Sequence, residues 1–102
     1  MPDILKDVAS AYPDQKFLIY DTDQYAGDYS NVVNISYKQN DMGYLIGVFA
    51  AAMTSDTAVK NMNAEKVVGF VGGTDSPVIN DFLYGFLEGV KATDAEVKVD
   101  TR

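Results

Sequence analysis

Residues 66–91, KVVGFVGGTDSPVINDFLYGFLEGVK, begin as an apolar run, stop at two glycines and resume with apolar residues at helical spacing. A short continuous apolar run is the pattern of a strand buried in a parallel sheet. Ser76 followed by Pro77 is a helix cap followed by a first-turn proline, so a helix is expected from Pro77 to about Ala92. Its buried stripe would be Val78, Ile79, Phe82, Leu83, Phe86 and Val90, with Gly85 and Gly89 at a spacing that admits a second backbone. The alternating EVKVD that follows supplies another short strand.

Working outward, segments of helical and strand period alternate. PDILKDVASAY puts Ile4, Leu5, Val8 and Tyr12 on one helical stripe, with Asp3 near the positive end of the dipole and Pro13 as the stop. KFLIYD reads as a strand covered on both faces and ended by Asp21. The polar stretch 22–30 reads as a loop. NVVNISY alternates as a half-exposed or edge strand does, with Val33, Ile35 and Tyr37 on one side. From a cap at Asn40 or Asp41, MGYLIGVFAAAM reads as a helix apolar nearly all round, in which Gly43, Gly47 and Ala51 form a small-residue ridge for close packing. The order is that of an α/β protein with a mainly parallel sheet and flanking helices. Its outer strands have no evident partners, so a piece of a larger protein is expected, with open edges through which copies can associate.

Composition removes whole classes of function. The 102 residues hold no cysteine and no histidine, which excludes thiolate chemistry, the usual zinc sites and His-dependent triads. A net charge of −7 argues against nucleic-acid binding. No lipid-attachment cysteine is visible, and the most apolar stretch, 42–53, is too short to span a bilayer, so the chain is expected to be soluble.

In open α/β sheets, ligands lie where a strand hands over to a helix N-terminus. GGTDSP occupies that place, with a floor of Gly72 and Gly73, hydroxyls at Thr74 and Ser76 and the Asp75 carboxylate. Glycines there permit unusual torsions and remove obstructing side chains. A plain turn with a helix cap gives the same pattern. The spacing is neither dinucleotide nor P-loop, so an uncharged polar ligand fits better than a phosphate. Phe82 is close enough to face such a ligand, or is simply core. Asp21, ending its strand, can accept hydrogen bonds from a ligand or be an ordinary strand end. Tyr20, Tyr25 and Tyr29 offer stacking surface around the same loop. Carboxylates at Asp21, Asp23 and Asp75 leave a metal-dependent hydrolytic pair as an alternative.

The linked segments DVASAYPDQKFLIYD, NVVNISYKQNDMGYLIGVFAAAMT and VVGFVGGTDSPVINDFLYGFLEGVK closely resemble the basic membrane protein family of substrate-binding lipoproteins, which includes purine-nucleoside receptors of bacterial ABC transporters. The resemblance implies an incomplete piece of a type I periplasmic-binding-protein fold, two α/β lobes closing on a ligand. It implies a first lobe and crossing helix over 1–53, a connector over 54–65 and the start of the second lobe over 66–102. It implies a non-enzymatic receptor without cofactor or metal, a purine-nucleoside ligand, an ABC permease partner and a parent protein anchored outside the membrane by lipid. By position, Asp21 matches the family's aspartate toward the purine base, and Gly72, Gly73 and Phe82 match the strand–helix junction lining the cleft. The same two-lobed fold also serves as the ligand-sensing effector domain of transcriptional regulators, which is the other reading the resemblance leaves open.

Overall fold

The computed structural model describes residues 2–22, 24–25, 27–62 and 65–102. The elements are α1 (Pro2–Ala11), β1 (Phe17–Tyr20), β2 (Val32–Ile35), α2 (Gln39–Ser55), β3 (Val67–Phe70), α3 (Pro77–Thr93) and β4 (Lys98–Thr101). They form two compact units, residues 1–37 and 38–102. Asp23, one of the carboxylates considered for a hydrolytic pair, lies outside the described residues, as does the side chain of Asp3.

In the first unit, β1 and β2 pair in parallel with Phe17 beside Val32 and Tyr20 beside Ile35. The α1 stripe turns inward on Ala9, which is buried, with Leu5 and Val8 half-buried, whereas Ile4 and Tyr12 are exposed. The inward face is therefore centred about one residue away from the expected stripe. Asn31 holds the unit together. Its buried Nδ2 donates to the carbonyls of Ala9, Tyr12 and Gln15 at 3.0–3.1 Å, while its own carbonyl accepts from Phe17 N–H at 2.8 Å. One amide thus serves carbonyls at the end of α1 and in the turn beyond it, where the Tyr12 carbonyl also accepts from Gln15 N–H at 3.1 Å. Tyr25 is buried against Tyr29, with ring centroids 5.8 Å apart. Tyr25 is therefore core rather than stacking surface.

In the second unit, β3 and β4 pair in parallel, Val67 beside Lys98 and Phe70 beside Thr101, with α3 as the crossover. Ala51, Phe86, Val90 and Val97 form the core, joined by Val68, Phe70 and Val99 from the inner face of the strands. The Phe70 and Phe86 rings meet at 5.6 Å and 53°, a tilted pair of the favourable kind. The close-packing ridge is real: Gly43, Gly47 and Ala51 are the buried residues of α2 along with Gln39. A Cβ at Gly43 or Gly47 would collide with the carbonyls of Phe82 and Phe86, and one at Gly85 or Gly89 with those of Asn40 and Tyr44. The two helices therefore touch through main chain.

Two expectations are corrected. The α2 cap is neither Asn40 nor Asp41: the helix starts at Gln39, with Lys38 in the cap position and no side-chain cap bond. Both residues belong to the first turn instead, where Asp41 favours the dipole. The strands, moreover, are covered on one face only. Leu18 and Tyr20 in β1 and Val67 in β3 are 47–69% exposed. An apolar run records that both faces are apolar, and the described helices cover one.

Candidate functional site

The junction from β3 to α3 is built as its residues dictate. Ser76 has extended backbone, φ −143° and ψ 155°, its hydroxyl accepts from Ile79 N–H at 3.4 Å, and Pro77 opens the helix. Gly72 continues the sheet by donating its N–H to the Arg102 carbonyl at 2.8 Å. Neither Gly72 nor Gly73 adopts positive φ, so torsion explains neither, and close packing bears on Gly72 alone. A Cβ on Gly72 would lie 3.0 Å from Ile79 Cγ2, whereas one on Gly73 would meet nothing within 4 Å.

Above Gly72 lies a cleft of about 300 Å³, at the small end for ligand sites, with Phe70, Ile79 and Leu83 as its apolar wall and Thr74, Asp75 and Asn80 at its polar rim. Asn80 Nδ2 donates to Asp75 Oδ1 at 2.9 Å, which holds the carboxylate over the start of α3. A negative charge so near the helix N-terminus disfavours a phosphate, so the rim suits a neutral or donor-bearing group. Asn80 and Arg102, which also lines the cleft, escaped the sequence reading. Asn80 is three residues into a helix, and only its bond to Asp75 sets it apart.

Phe82 is half-buried on α3, its carbonyl against Gly43 of α2, and does not line this cleft. Asp21 belongs to the first unit. It ends β1 in the left-handed region, φ 61°, with its N–H donating to the Ile35 carbonyl at 2.8 Å and its side chain exposed. Left-handed backbone is uncommon outside glycine, and Asp tolerates it better than most residues. The next residue, Thr22, is buried, and its hydroxyl accepts from Gln24 N–H at 3.2 Å, pinning the loop that leaves Asp21. Asp21 borders a groove of about 650 Å³ whose walls are apolar residues of α1 and β1. The structure thus places Gly72 and Gly73 together, Phe82 elsewhere in their unit, and Asp21 in the other unit.

Among the described residues no group of three or more His, Cys, Asp or Glu is arranged to hold a metal ion. No described helix is long and apolar enough to cross a membrane.

Comparison with known proteins agrees with this architecture. The family model for ABC transporter substrate-binding protein, PnrA-like, matches residues 1–102. The chain is 35% identical over 102 residues to a CD4+ T-cell-stimulating antigen of Listeria monocytogenes, covering 100% of this chain and 26% of that protein. It is 33% identical over 100 residues to the ABC transporter nucleoside-binding protein BmpA of Lactococcus lactis, covering 94% of this chain and 25% of that protein. An uncharacterized lipoprotein of Pyrococcus furiosus is 33% identical over 87 residues, 85% of this chain and 20% of its own length. The chain therefore belongs to the PnrA-like family of ABC transporter substrate-binding proteins, and its α/β build with parallel strand pairs is a partial periplasmic-binding-protein-like fold. It spans about a quarter of the length of the relatives it matches.

Proposed function

We propose that this chain is part of an extracytoplasmic, lipid-anchored receptor that binds a purine nucleoside and delivers it to an ABC permease. The match of the family model over residues 1–102 carries this reading. The nucleoside-binding name of the Lactococcus lactis relative supports the ligand class. Asp21 is the residue we assign to the base, because its carboxylate accepts N–H donors and its left-handed backbone is the sort of constraint found at ligand sites. Gly72 and Gly73 are assigned to the floor of the second lobe; Phe82, which lies outside the cleft above Gly72, is kept as a lining residue only of the larger cleft that the intact receptor would form between its lobes. In this reading residues 1–53 carry the end of the first lobe and the crossing helix, 54–65 the connector and 66–102 the start of the second lobe, whereas the compact units divide at Tyr37 and Lys38 and group α2 with the later residues. The apolar strand faces left uncovered support a segment that is completed by further layers, and in the isolated chain they favour association of copies.

The test is calorimetric titration of adenosine, guanosine and inosine into the receptor containing this segment, with Asp21→Ala beside it. Saturable heat, weakened about tenfold or more by the substitution, is the expected result, since a hydrogen bond to a charged group is lost. Absence of heat for all three nucleosides would remove the nucleoside assignment, and heat unaffected by Asp21→Ala would remove that residue from the site.

A further inference from the structure

The start of α2 lacks a cap of its own. Lys38 stands at the cap position without a side-chain hydrogen bond, and the first bond within the helix runs from Met42 N–H to the Lys38 carbonyl at 3.2 Å. The N–H groups of the first turn are thus left without partners inside the helix. One is satisfied from outside: Asn40 N–H donates to Asp81 Oδ2 at 3.1 Å, and Asn40 Nδ2 donates to the Asp81 main-chain carbonyl at 3.3 Å. Asp81 belongs to α3 and is 41 residues away in sequence. It is half-buried, and its charge sits at the positive end of the α2 dipole.

A second feature acts on the same peptide. Gly85, one turn further along α3, is where the Asn40 carbonyl rests, and a Cβ there would overlap it. One turn of α3 thus receives Asn40 by both ends, its carbonyl over Gly85 and its N–H on Asp81. Asn40 is two residues beyond Lys38, where the second compact unit begins.

We infer that Asp81 is a positioning residue, the N-terminal cap of α2 supplied in trans from α3, and that with Gly85 it fixes the point at which the chain enters the second unit. A surface carboxylate with an incidental contact would leave the first turn of α2 unchanged when removed. A trans cap would not. Its removal frays residues 38–41 while the middle of α2, held by Gly43, Gly47 and Ala51, stays seated.

The measurement is amide hydrogen exchange across α2, together with the rate of tryptic cleavage after Lys38, in the wild-type chain and in Asp81→Ala, Asp81→Asn and Gly85→Ala. Asp81→Ala should speed Asn40 exchange and Lys38 cleavage about fivefold or more, the factor that loss of a cap implies, with Gly47–Ala51 exchange unchanged. Asp81→Asn, which keeps an acceptor oxygen, should restore most of the protection. Gly85→Ala should loosen Asn40 as Asp81→Ala does, and the double variant should add little, because both act on one peptide. Unchanged Asn40 exchange in Asp81→Ala would overturn the inference. So would loss of protection spread evenly over α2 and α3, which would make Asp81 a general stabiliser of the unit.

Discussion

Gly47 of α2 and Phe86 of α3 meet main chain to main chain: a Cβ on the glycine would overlap the Phe86 carbonyl oxygen. Alanine is ordinarily better than glycine inside a helix by about 1 kcal/mol. Here the clash should win. Gly47→Ala is expected to destabilise the second unit by about 1–3 kcal/mol, the usual cost of overpacking. Gly73→Ala, with open space around its Cβ, should stay within about 0.5 kcal/mol. Urea unfolding followed by circular dichroism compares the two, and equal midpoints would contradict the close approach.

Asn31 should be as unforgiving for a different reason. Asn31→Ala strands the buried carbonyl of Ala9 and removes a donor from the half-exposed carbonyls of Tyr12 and Gln15, a penalty of about 1–3 kcal/mol in the first unit. Asn31→Asp should cost more, because a carboxylate oxygen would then face three carbonyls. Thermal unfolding read at the tyrosines of the first unit gives the order of the two variants.

Asp21 separates backbone from side chain. Asp21→Gly relieves the φ of 61° and should keep stability within about 1 kcal/mol, while Asp21→Val, β-branched, should lose about 1–2 kcal/mol. On the reading proposed above, nucleoside binding by the receptor containing this segment should fall in both. A glycine variant that unfolds earlier than the valine variant would show that the left-handed backbone is not what shapes this position.

The charge cluster beside β3 sets a pH dependence. Lys66 Nζ lies 2.6 Å from Glu96 Oε2 and 2.9 Å from Asp94 Oδ2, and Ser55 Oγ donates to the same Asp94 oxygen at 3.0 Å. These hydrogen bonds, Glu96 first and Asp94 second, push the Lys66 ammonium up to about 12. The Lys66 ammonium, then the Glu96 N–H and the Ser55 hydroxyl, draw the Asp94 carboxyl down to about 2. A lowered carboxyl stabilises the fold above its unfolded value of 3.8, and that contribution is lost as pH falls through about 2. A raised ammonium contributes below 10.5 and is lost as pH rises through about 12. Thermal midpoints should therefore fall between pH 4 and 2, and less steeply in Lys66→Met. The pair is solvent-accessible, so 1 M salt should blunt the difference. A Lys66→Met slope as steep as wild type would show that the cluster does not set the acid limb.

Leu18 beside Val33 and Tyr20 beside Ile35 make an uncovered apolar face on the β1–β2 pair. The isolated chain should self-associate with rising concentration, and Leu18→Lys with Val33→Glu should reverse it. Light scattering that gives the monomer mass throughout would dismiss the association.

The element order, the Ser76–Pro77 start of α3 and the glycine ridge of α2 were legible because each rests on local rules: a cap, a proline, a small residue every fourth position. What escaped reading was tertiary. Nothing near Asn31 in sequence announces that it serves three carbonyls up to 22 residues away. Asn40 looks like a cap and is instead the residue being capped, because its partner Asp81 comes from another helix. The apolar composition of β1 records two apolar faces, and no local pattern reveals how many layers are at hand to cover them. Of the site, the Gly72 floor and the Asp75 rim followed from the strand-to-helix rule, whereas Asn80 depends on a side-chain contact across a turn.

The interlocked glycines of α2 and α3 have a mechanical meaning. Helices that meet through side chains can creep past one another as rotamers adjust, the sliding by which many domains change shape. Here four carbonyls sit in four notches that only hydrogen leaves open, so a displacement short of a full turn would drive main chain into main chain. The pair is a splined shaft. It turns as one piece, and any flexing within this helix pair must be absorbed at the helix ends.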